Sequence, residues 1–260
     1  MYFIRRFAAA AALLLALAPA AAGSAPTVAA AADLKFALTE VAGRFRQDTG
    51  QAVKLVFGSS GNFRTQIEQG APFELFLSAD ENFVFQLADR GFARDRGVLY
   101  AIGRIVLFSP HGSTLAVDAG LNDLRAALAD GRIRRFAIAN PEHAPYGRAA
   151  RAALEHAGLW QAISPRLVLG ENAAQAMQFA ASGSSQGGIV PLSLSKAPEV
   201  ARLGRFAPIP PEWHAAEPLR QRMALTARAG KTAEAFFQYL QQPAAREIFV
   251  RHGFALPGEN

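Results

Sequence analysis

Four short segments carry polar side chains or glycines where a short apolar run gives way to a helical pattern. They are Ala32-Asp33, Gly58-Ser59-Ser60-Gly61, Pro145-Tyr146-Gly147 and Glu171-Asn172-Ala173. A helix N-terminus offers backbone N–H groups without intrahelical partners and a partial positive charge. Glycine lets such amides approach a ligand closely, and serine hydroxyls add short hydrogen-bond donors. Together the segments predict a donor-rich site for a small, fully ionised oxyanion that needs no lysine or arginine.

Each of these residues also has a simpler structural interpretation when it is taken alone. Asp33 and Asn172 could be ordinary helix N-caps. Ser59 and Ser60 could be turn or capping residues, and Tyr146 could pack against the core. The functional interpretation gains weight because all four segments fall at equivalent strand–helix junctions.

Catalytic chemistry has little support in the sequence. The histidines are scattered with no pair at i, i+4, so a zinc site is not predicted. The main catalytic alternative is a serine hydrolase with Ser60 as nucleophile. The segment from Gly58 to Asn62 lies between a predicted strand and a predicted helix, which is the position of the G-x-S-x-G nucleophile elbow in such enzymes. Asn62, however, stands in place of the second glycine. We therefore expect no enzyme, no catalytic residue, no cofactor and no direct metal-cation ligand.

The elements that must hold these segments alternate between short apolar runs and stretches with helical periodicity. The predicted strands are Thr27–Ala31, Val53–Phe57, Phe73–Leu77, Arg104–Phe108, Phe136–Ala139, Arg166–Leu169, Gly187–Val190 and Arg222–Thr226. Besides a helix that ends at Gly50, the predicted helices are Phe63–Gln69, Asn82–Asp89, Leu121–Leu128, Arg148–Ala157, Ala173–Ala181, Lys231–Leu240 and Ala244–Arg251. This alternation predicts an α/β fold with mostly parallel sheets.

Composition and charge narrow the class of protein further. The chain has 260 residues, 51% of them hydrophobic, with no cysteine and a net charge of +6. It is long enough for one or two domains with a buried core, and without cysteine it has no disulfide scaffold or thiolate metal site. The densest basic group is Arg132-Ile133-Arg134-Arg135, which is too small to predict nucleic-acid binding.

The first 24 residues have the pattern of a cleaved secretory signal peptide. Arg5 and Arg6 form a basic start, Phe7 to Leu17 is an apolar run, and small residues follow up to Gly23. The run is too short to cross a bilayer, which needs about 20 apolar residues. The pattern predicts a soluble, exported mature protein.

Short motifs along the mature chain carry a family resemblance. They are Ala30–Leu34, Phe57–Gly61, Gln66–Pro72, Leu75–Asp80, Asn140–Gly147, Gly188–Val190 and Glu247–Phe254. With these motifs in this order, the chain resembles the molybdate-binding periplasmic proteins of ABC importers. The resemblance implies a type II periplasmic binding protein fold, in which two lobes, each a mostly parallel sheet flanked by helices, close on a ligand cleft. It also implies a monomer that captures molybdate or tungstate and delivers it to a permease in the inner membrane.

The expected domain borders place residues 25–105 and 222–260 in lobe 1 and residues 106–221 in lobe 2. Ser109-Pro110 and the proline-rich connector from Pro208 to Pro211 are the candidate crossings between the lobes. Hinge strands are expected near Arg104–Phe108 and Arg220–Thr226.

The resemblance also implies which residues bind the ligand. Ser60 would donate its hydroxyl and its amide, and Ala173 would donate its amide. Tyr146 stands where some members use a backbone amide and others a tyrosine hydroxyl. Pro191 stands where some members place a ligand tyrosine, so that contact is absent or supplied by Tyr146. With Asp33 added, the candidate ligand-binding residues are Asp33, Ser60, Tyr146 and Ala173, followed by Ser59, Gly61, Asn172 and Pro191.

Asp33 is the main departure from the family, whose members commonly have serine or asparagine there. A carboxylate repels a dianion by roughly 4 kcal/mol per contact at about 4 Å and an effective dielectric of 20. Three resolutions are open. Asp33 points away as a helix cap, or it is protonated, or the ligand is a protonated phosphate-like oxyanion whose proton Asp33 accepts. The third would shift specificity away from molybdate.

Overall fold

The computed structural model describes residues 24–258, so the predicted signal peptide lies outside the described residues apart from Ser24. The strands are β1 Thr27–Ala31, β2 Lys54–Gly58, β3 Phe73–Ser78, β4 Val98–Ile102, β5 Ile105–Pro110, β6 Phe136–Ala139, β7 Leu167–Gly170, β8 Gly188–Pro191, β9 Gly204–Pro208 and β10 Arg220–Leu225. The helices are α1 Lys35–Thr49, α2 Ser60–Glu68, α3 Glu81–Asp89, α4 Asn122–Ala129, α5 Pro145–His156, α6 Trp160–Ile163, α7 Ala173–Ala181, α8 Leu192–Ser195, α9 Pro198–Ala201, α10 Lys231–Tyr239 and α11 Pro243–Arg251.

The strands form two sheets that have the same plan. The first sheet has the order β2-β1-β3-β10-β4 and the second has the order β7-β6-β8-β5-β9. In each sheet one strand, β10 or β5, runs antiparallel to both of its neighbours, and the other strands share one direction. The predicted α/β fold with mostly parallel sheets is confirmed.

The chain passes between the sheets twice. Strand β4 ends in the first sheet at Ile102 and β5 begins in the second at Ile105, so the first crossing is Gly103-Arg104. The return falls between β9 and β10. The prediction of a crossing at Ser109-Pro110 is wrong, because these residues pair with Arg205 and Gly204 inside the second sheet.

Apolar strands covered on both faces build the core. Strands β5 and β6 are buried along their whole length, as expected for strands packed between helix layers. In β1, Val28 and Ala30 join the large core cluster that includes residues of both sheets. Ala29 points to a smaller cluster under α2 and α3, with Phe63 and Phe76. This packing fixes the ends of the strands, and with them the helix N-termini that follow.

Candidate functional site

A small cavity lies between the two sheets, where several helix N-termini meet. It is lined by Ala31, Ala32, Asp33, Gly58, Ser59, Ser60, Ala79, Ala144, Pro145, Tyr146 and Ala173.

The cavity brings together residues from all four of the junctions singled out in the sequence. Of the predicted site residues, Asp33, Ser59, Ser60, Tyr146 and Ala173 line it. Gly61, Asn172 and Pro191 are not among its lining residues.

Backbone amides at helix starts form part of the wall. Ser60 and Ala173 are the first residues of α2 and α7, and Tyr146 is the second residue of α5. Amides at these positions have no intrahelical acceptor, and the helix N-terminus carries a partial positive charge. A short 3-10 turn, Ala32–Leu34, precedes α1 and adds a further helix start. The arrangement can solvate an anion with neutral donors alone.

The hydroxyl of Ser60 is oriented by the chain after β3. Its Oγ accepts a hydrogen bond of 3.0 Å from the Ala79 amide, and the residue is buried. A serine hydroxyl has one proton to donate, and that proton is not used in the Ala79 contact. Ser60 can therefore donate its hydroxyl proton to a ligand in the cavity.

The carboxyl group of Asp33 is buried in a network of neutral side chains. Its Oδ2 accepts hydrogen bonds from Tyr146 Oη at 2.9 Å and Gln221 Nε2 at 2.5 Å. Tyr100 Oη in turn donates to Gln221 Oε1 at 2.9 Å. Asp33 Oδ1 has no hydrogen-bond partner among the described residues. The interpretation of Asp33 as a cap that points away is wrong, because its side chain accepts hydrogen bonds from Tyr146 and Gln221 and the residue lines the cavity.

Burial changes the proton affinity of this network. It raises the pKa of Asp33 to about 6, although the hydrogen bonds from Gln221 and Tyr146 work in the opposite direction. The pKa of Tyr146 lies well above its ordinary value because of burial and the nearby Asp33 charge. Tyr146 is therefore a neutral hydrogen-bond donor over the physiological pH range.

Ser59 and Gly61 join the first-sheet side of the cleft to the segment before α5. Ser59 Oγ donates to the His143 carbonyl at 2.5 Å, and the Gly61 amide donates to the same oxygen at 3.1 Å. His143 Nδ1 lies 3.0 Å from Ser59 Oγ. Beside them, Asn62 Nδ2 donates to Glu171 Oε1 at 2.6 Å. We call the contacts of Ser59 and Gly61 with His143 the His143 latch.

Asn172 and Pro191 have local backbone partners. The Asn172 side chain caps α7, where it accepts from the amides of Ala174 and Gln175. It also lines a separate, larger groove beside α7. The carbonyl of Pro191 accepts from Ser195 Oγ at the start of α8.

Gly147 allows the start of α5 to lie against the end of β6. A Cβ atom at Gly147 would lie 2.3 Å from the Ala139 carbonyl oxygen, closer than such atoms can approach. This contact sets the position of Tyr146 in the cavity wall.

The geometry around Ser60 lacks the base that a serine nucleophile needs. Among residues 24–258, the imidazole hydrogen-bonded to this loop is that of His143, and it contacts Ser59 rather than Ser60. The Ser59 hydroxyl already donates to a carbonyl, so its proton is not available to the imidazole.

Gln221, Ala79 and His143 shape the site, although the sequence did not single them out as site residues. The alternation of side chains along β10 could have revealed Gln221. Gln221 and Met223 lie on the buried face of the strand, and the residues on either side of Gln221 are partly exposed. A glutamine in the buried phase of a strand needs a polar partner. Ala79 acts through its backbone amide and His143 mainly through its backbone carbonyl, and residue types do not reveal such contacts.

The described part of the chain holds neither a metal-binding cluster nor a membrane-spanning helix. No group of three or more histidine, cysteine or acidic residues is placed to hold a metal ion there. No helix within residues 24–258 is long and apolar enough to span a membrane.

Several known proteins are similar to this chain in sequence and in fold. Residues 26–255 match the family described as bacterial extracellular solute-binding protein. The molybdate-binding protein ModA of Azotobacter vinelandii is 35% identical over 243 residues, which cover 92% of this chain and 93% of that protein. ModA of Rhodobacter capsulatus is 35% identical over 239 residues, covering 91% and 90%. The solved structure of the Azotobacter vinelandii periplasmic molybdate-binding protein has a TM-score of 0.81 and 33% identity, covering 89% of this chain and 99% of that one. The resemblance drawn from the motifs is confirmed.

Proposed function

The chain belongs to the bacterial extracellular solute-binding protein family, and we propose that it binds molybdate or tungstate and delivers it to an ABC permease in the inner membrane. In this proposal the protein works in the periplasm as a monomer and performs no catalysis. The names of its relatives, molybdate-binding proteins at 35% identity, support the choice of ligand.

The observation that carries the proposal is the convergence of helix N-termini on one small cavity. Amides at the starts of α2, α5 and α7, with the Ser60 hydroxyl, supply many neutral donors from both sides of the cleft. A small tetrahedral dianion can spread its charge over such donors without a paired cation.

We assign the ligand contacts to Ser60 through its hydroxyl and amide, and to Tyr146 and Ala173 through their amides. The Tyr146 hydroxyl already donates its hydrogen bond to Asp33, so we assign only the amide of Tyr146 to the ligand. Gly61 and Asn172 have structural roles in this proposal, because the Gly61 amide is donated to His143 and the Asn172 side chain caps α7.

We further propose that each sheet is the centre of one lobe and that the lobes open about the two crossings. Ser60, Tyr146 and Ala173 are all buried, so an ion reaches them only when the lobes separate. Strand bounds favour hinges at Gly103-Arg104 and in the segment between Pro208 and Arg220.

Calorimetry with molybdate, tungstate, sulfate and phosphate on the purified protein tests the ligand. We expect heat and a higher melting temperature with molybdate and tungstate, since a ligand at 100 times its Kd stabilises the folded state by about 2.7 kcal/mol. If neither ion gives heat or a thermal shift, the proposal is wrong.

Ser60→Ala tests the site. Loss of one hydrogen bond to a charged ligand costs about 1.5–3 kcal/mol, so the Kd for molybdate should rise roughly 10- to 100-fold. Ser195→Ala is the matched control, because Ser195 is a buried serine that donates to the Pro191 carbonyl and does not line the cavity. An unchanged Kd in Ser60→Ala would show that the Ser60 hydroxyl does not bind the ligand.

Asp33 favours a second candidate, the same fold binding a protonated phosphate-like oxyanion. The free Oδ1 of Asp33 could accept the proton that such a ligand carries. Tighter binding of phosphate or arsenate than of molybdate at pH 7.5 would select this candidate.

A further inference from the structure

Asp33 lines the anion cavity and has one buried carboxyl oxygen without a hydrogen-bond partner among the described residues. The residue is 1% exposed. Its Oδ2 already accepts two hydrogen bonds, from Tyr146 and Gln221, while Oδ1 has no partner among residues 24–258. A proton on this carboxyl group would therefore reside on Oδ1, where it can be donated to a ligand.

The groups that surround Asp33 are neutral. Tyr146 comes from α5 and Gln221 from β10, with Tyr100 of β4 behind Gln221. From α8, Ser193 Oγ donates to the Asp33 carbonyl at 2.8 Å. From α2 and α7, Ser60 and Ala173 contribute a hydroxyl and backbone groups to the same cavity.

The nearest cation along the chain is Lys35, which is exposed and lines the separate groove beside α7. Arginine and lysine are absent from the lining residues of the anion cavity. An ionised Asp33 and a dianion would therefore share one small cavity with no lysine or arginine in its lining, an arrangement that like-charge repulsion and desolvation both oppose.

We propose that the ligand complex holds one proton between Asp33 Oδ1 and an oxygen of the bound oxyanion. The proposal rests on the proposed function and adds a condition to it: a fully ionised oxyanion binds only with uptake of one proton. For molybdate the proton comes from the solvent and the buffer, and the carboxyl group becomes an O–H donor to the anion. Hydrogen phosphate would bring its own proton, so its binding would take up none.

The affinity for molybdate should therefore depend on pH. In the ligand-free protein, burial raises the pKa of Asp33 to about 6. Above this value Asp33 must be protonated on binding, so each further pH unit should weaken binding about tenfold. Below it Asp33 already carries the proton, and this dependence disappears.

Proton uptake can be counted by calorimetry. Molybdate is titrated into the full mature protein at pH 7.5 in PIPES and in Tris, two buffers with different ionisation enthalpies. We expect uptake of about one proton by the wild type and none by Asp33→Asn or Asp33→Ser. Between pH 7 and 8.5 the Kd of the wild type should rise about tenfold per unit, while the variants show no such slope.

Glu171→Gln is the control, because it removes an exposed carboxylate beside the cleft that does not line the cavity. It should keep an uptake of about one proton. Molybdate binding by the wild type without proton uptake would overturn this inference and leave the proposed function intact. Absence of molybdate and tungstate binding by both the wild type and Asp33→Ser would overturn the proposed function with it. The comparison of buffers needs only the wild type, so it decides the matter even if the Asp33 variants fail to fold.

Discussion

At the scale of single residues, Asp33 should make the ligand-free protein less stable at neutral pH. Its pKa is about 6 in the folded state against an ordinary value of 3.8. The folded state therefore holds more protons between these values, and the free energy of unfolding falls as the pH rises through this window. The stabilisation present below about pH 4 and lost above pH 6 is ~3 kcal/mol.

Asp33→Asn should remove most of this loss. We expect the variant to be more stable than the wild type at pH 7.5, by up to ~3 kcal/mol, and to show little difference at pH 4. Chemical denaturation of ligand-free protein at both pH values measures it. Asp89→Asn, a change at an exposed carboxylate on α3, is the control and should leave the pH profile unchanged. An identical pH profile in Asp33→Asn and the wild type would contradict the raised pKa.

Residue types predicted part of the site and could not predict the rest. The segments that contain Asp33, Ser60, Tyr146 and Ala173 were identified because polar groups and helix starts follow strands, and the family resemblance implied which residues within them bind the ligand. The sequence did not show which group each side chain hydrogen-bonds to, because the partners lie far away along the chain. Asp33 and Gln221 are 188 positions apart, and their contact exists only after β10 has joined the first sheet.

At the scale of elements, the start of α2 is held against the segment before α5 by a contact that only glycine permits. A Cβ atom at Gly61 would lie 2.5 Å from the His143 carbonyl oxygen. Gly61→Ala should therefore displace the His143 latch and separate the two sides of the cavity.

We expect Gly61→Ala to fold and to bind molybdate at least ~10-fold more weakly, because a hydrogen bond to the His143 carbonyl is lost or stretched. Calorimetry measures the affinity. Gly43→Ala is the control: Gly43 lies in α1, a Cβ atom there would meet nothing within 4 Å, and alanine should stabilise the helix by up to ~1 kcal/mol. Equal affinity in both variants would show that the latch does not matter for binding.

Elements with a strong local pattern were predicted well. The bounds of β1, β6 and α7 match the predictions, since each is an apolar run with a clear end. Strands β4 and β9 and the short helices α6, α8 and α9 were missed. Both strands are sheet edges, and an edge strand is defined by its partner as much as by its own residues. The partner of β4 is β10, and all strands of the second sheet lie between β4 and β10 in the sequence.

At the scale of the whole molecule, an arginine joins the two sides of the cleft. Arg148 of α5 contacts Asp80, the N-cap of α3, and also Glu217 in the segment that leads to β10. Asp80 is largely buried, so the pair is less screened by solvent than a surface ion pair. This contact should favour the closed arrangement of the lobes.

Arg148→Ala should weaken molybdate binding by roughly tenfold, because a hydrogen bond between charged groups contributes about 1.5–3 kcal/mol and part of this is lost to solvent. The dissociation rate should rise, which stopped-flow mixing can follow. Arg151→Ala, on the same helix, removes an exposed pair with Glu155 and should change binding by less than about twofold. If both variants bind like the wild type, Arg148 does not support closure.

The return of the chain to the first sheet has a consequence for how the molecule is made. Within residues 24–258, strand β4 is joined to its sheet only through β10, which is synthesised after every strand of the second sheet. A chain still leaving the ribosome thus carries an unfinished first sheet with an open edge. Pairings so distant in sequence form slowly, because a long loop must close before any contact compensates for it. The first sheet, which contains the first strand to be synthesised, is therefore the last sheet to receive all of its strands.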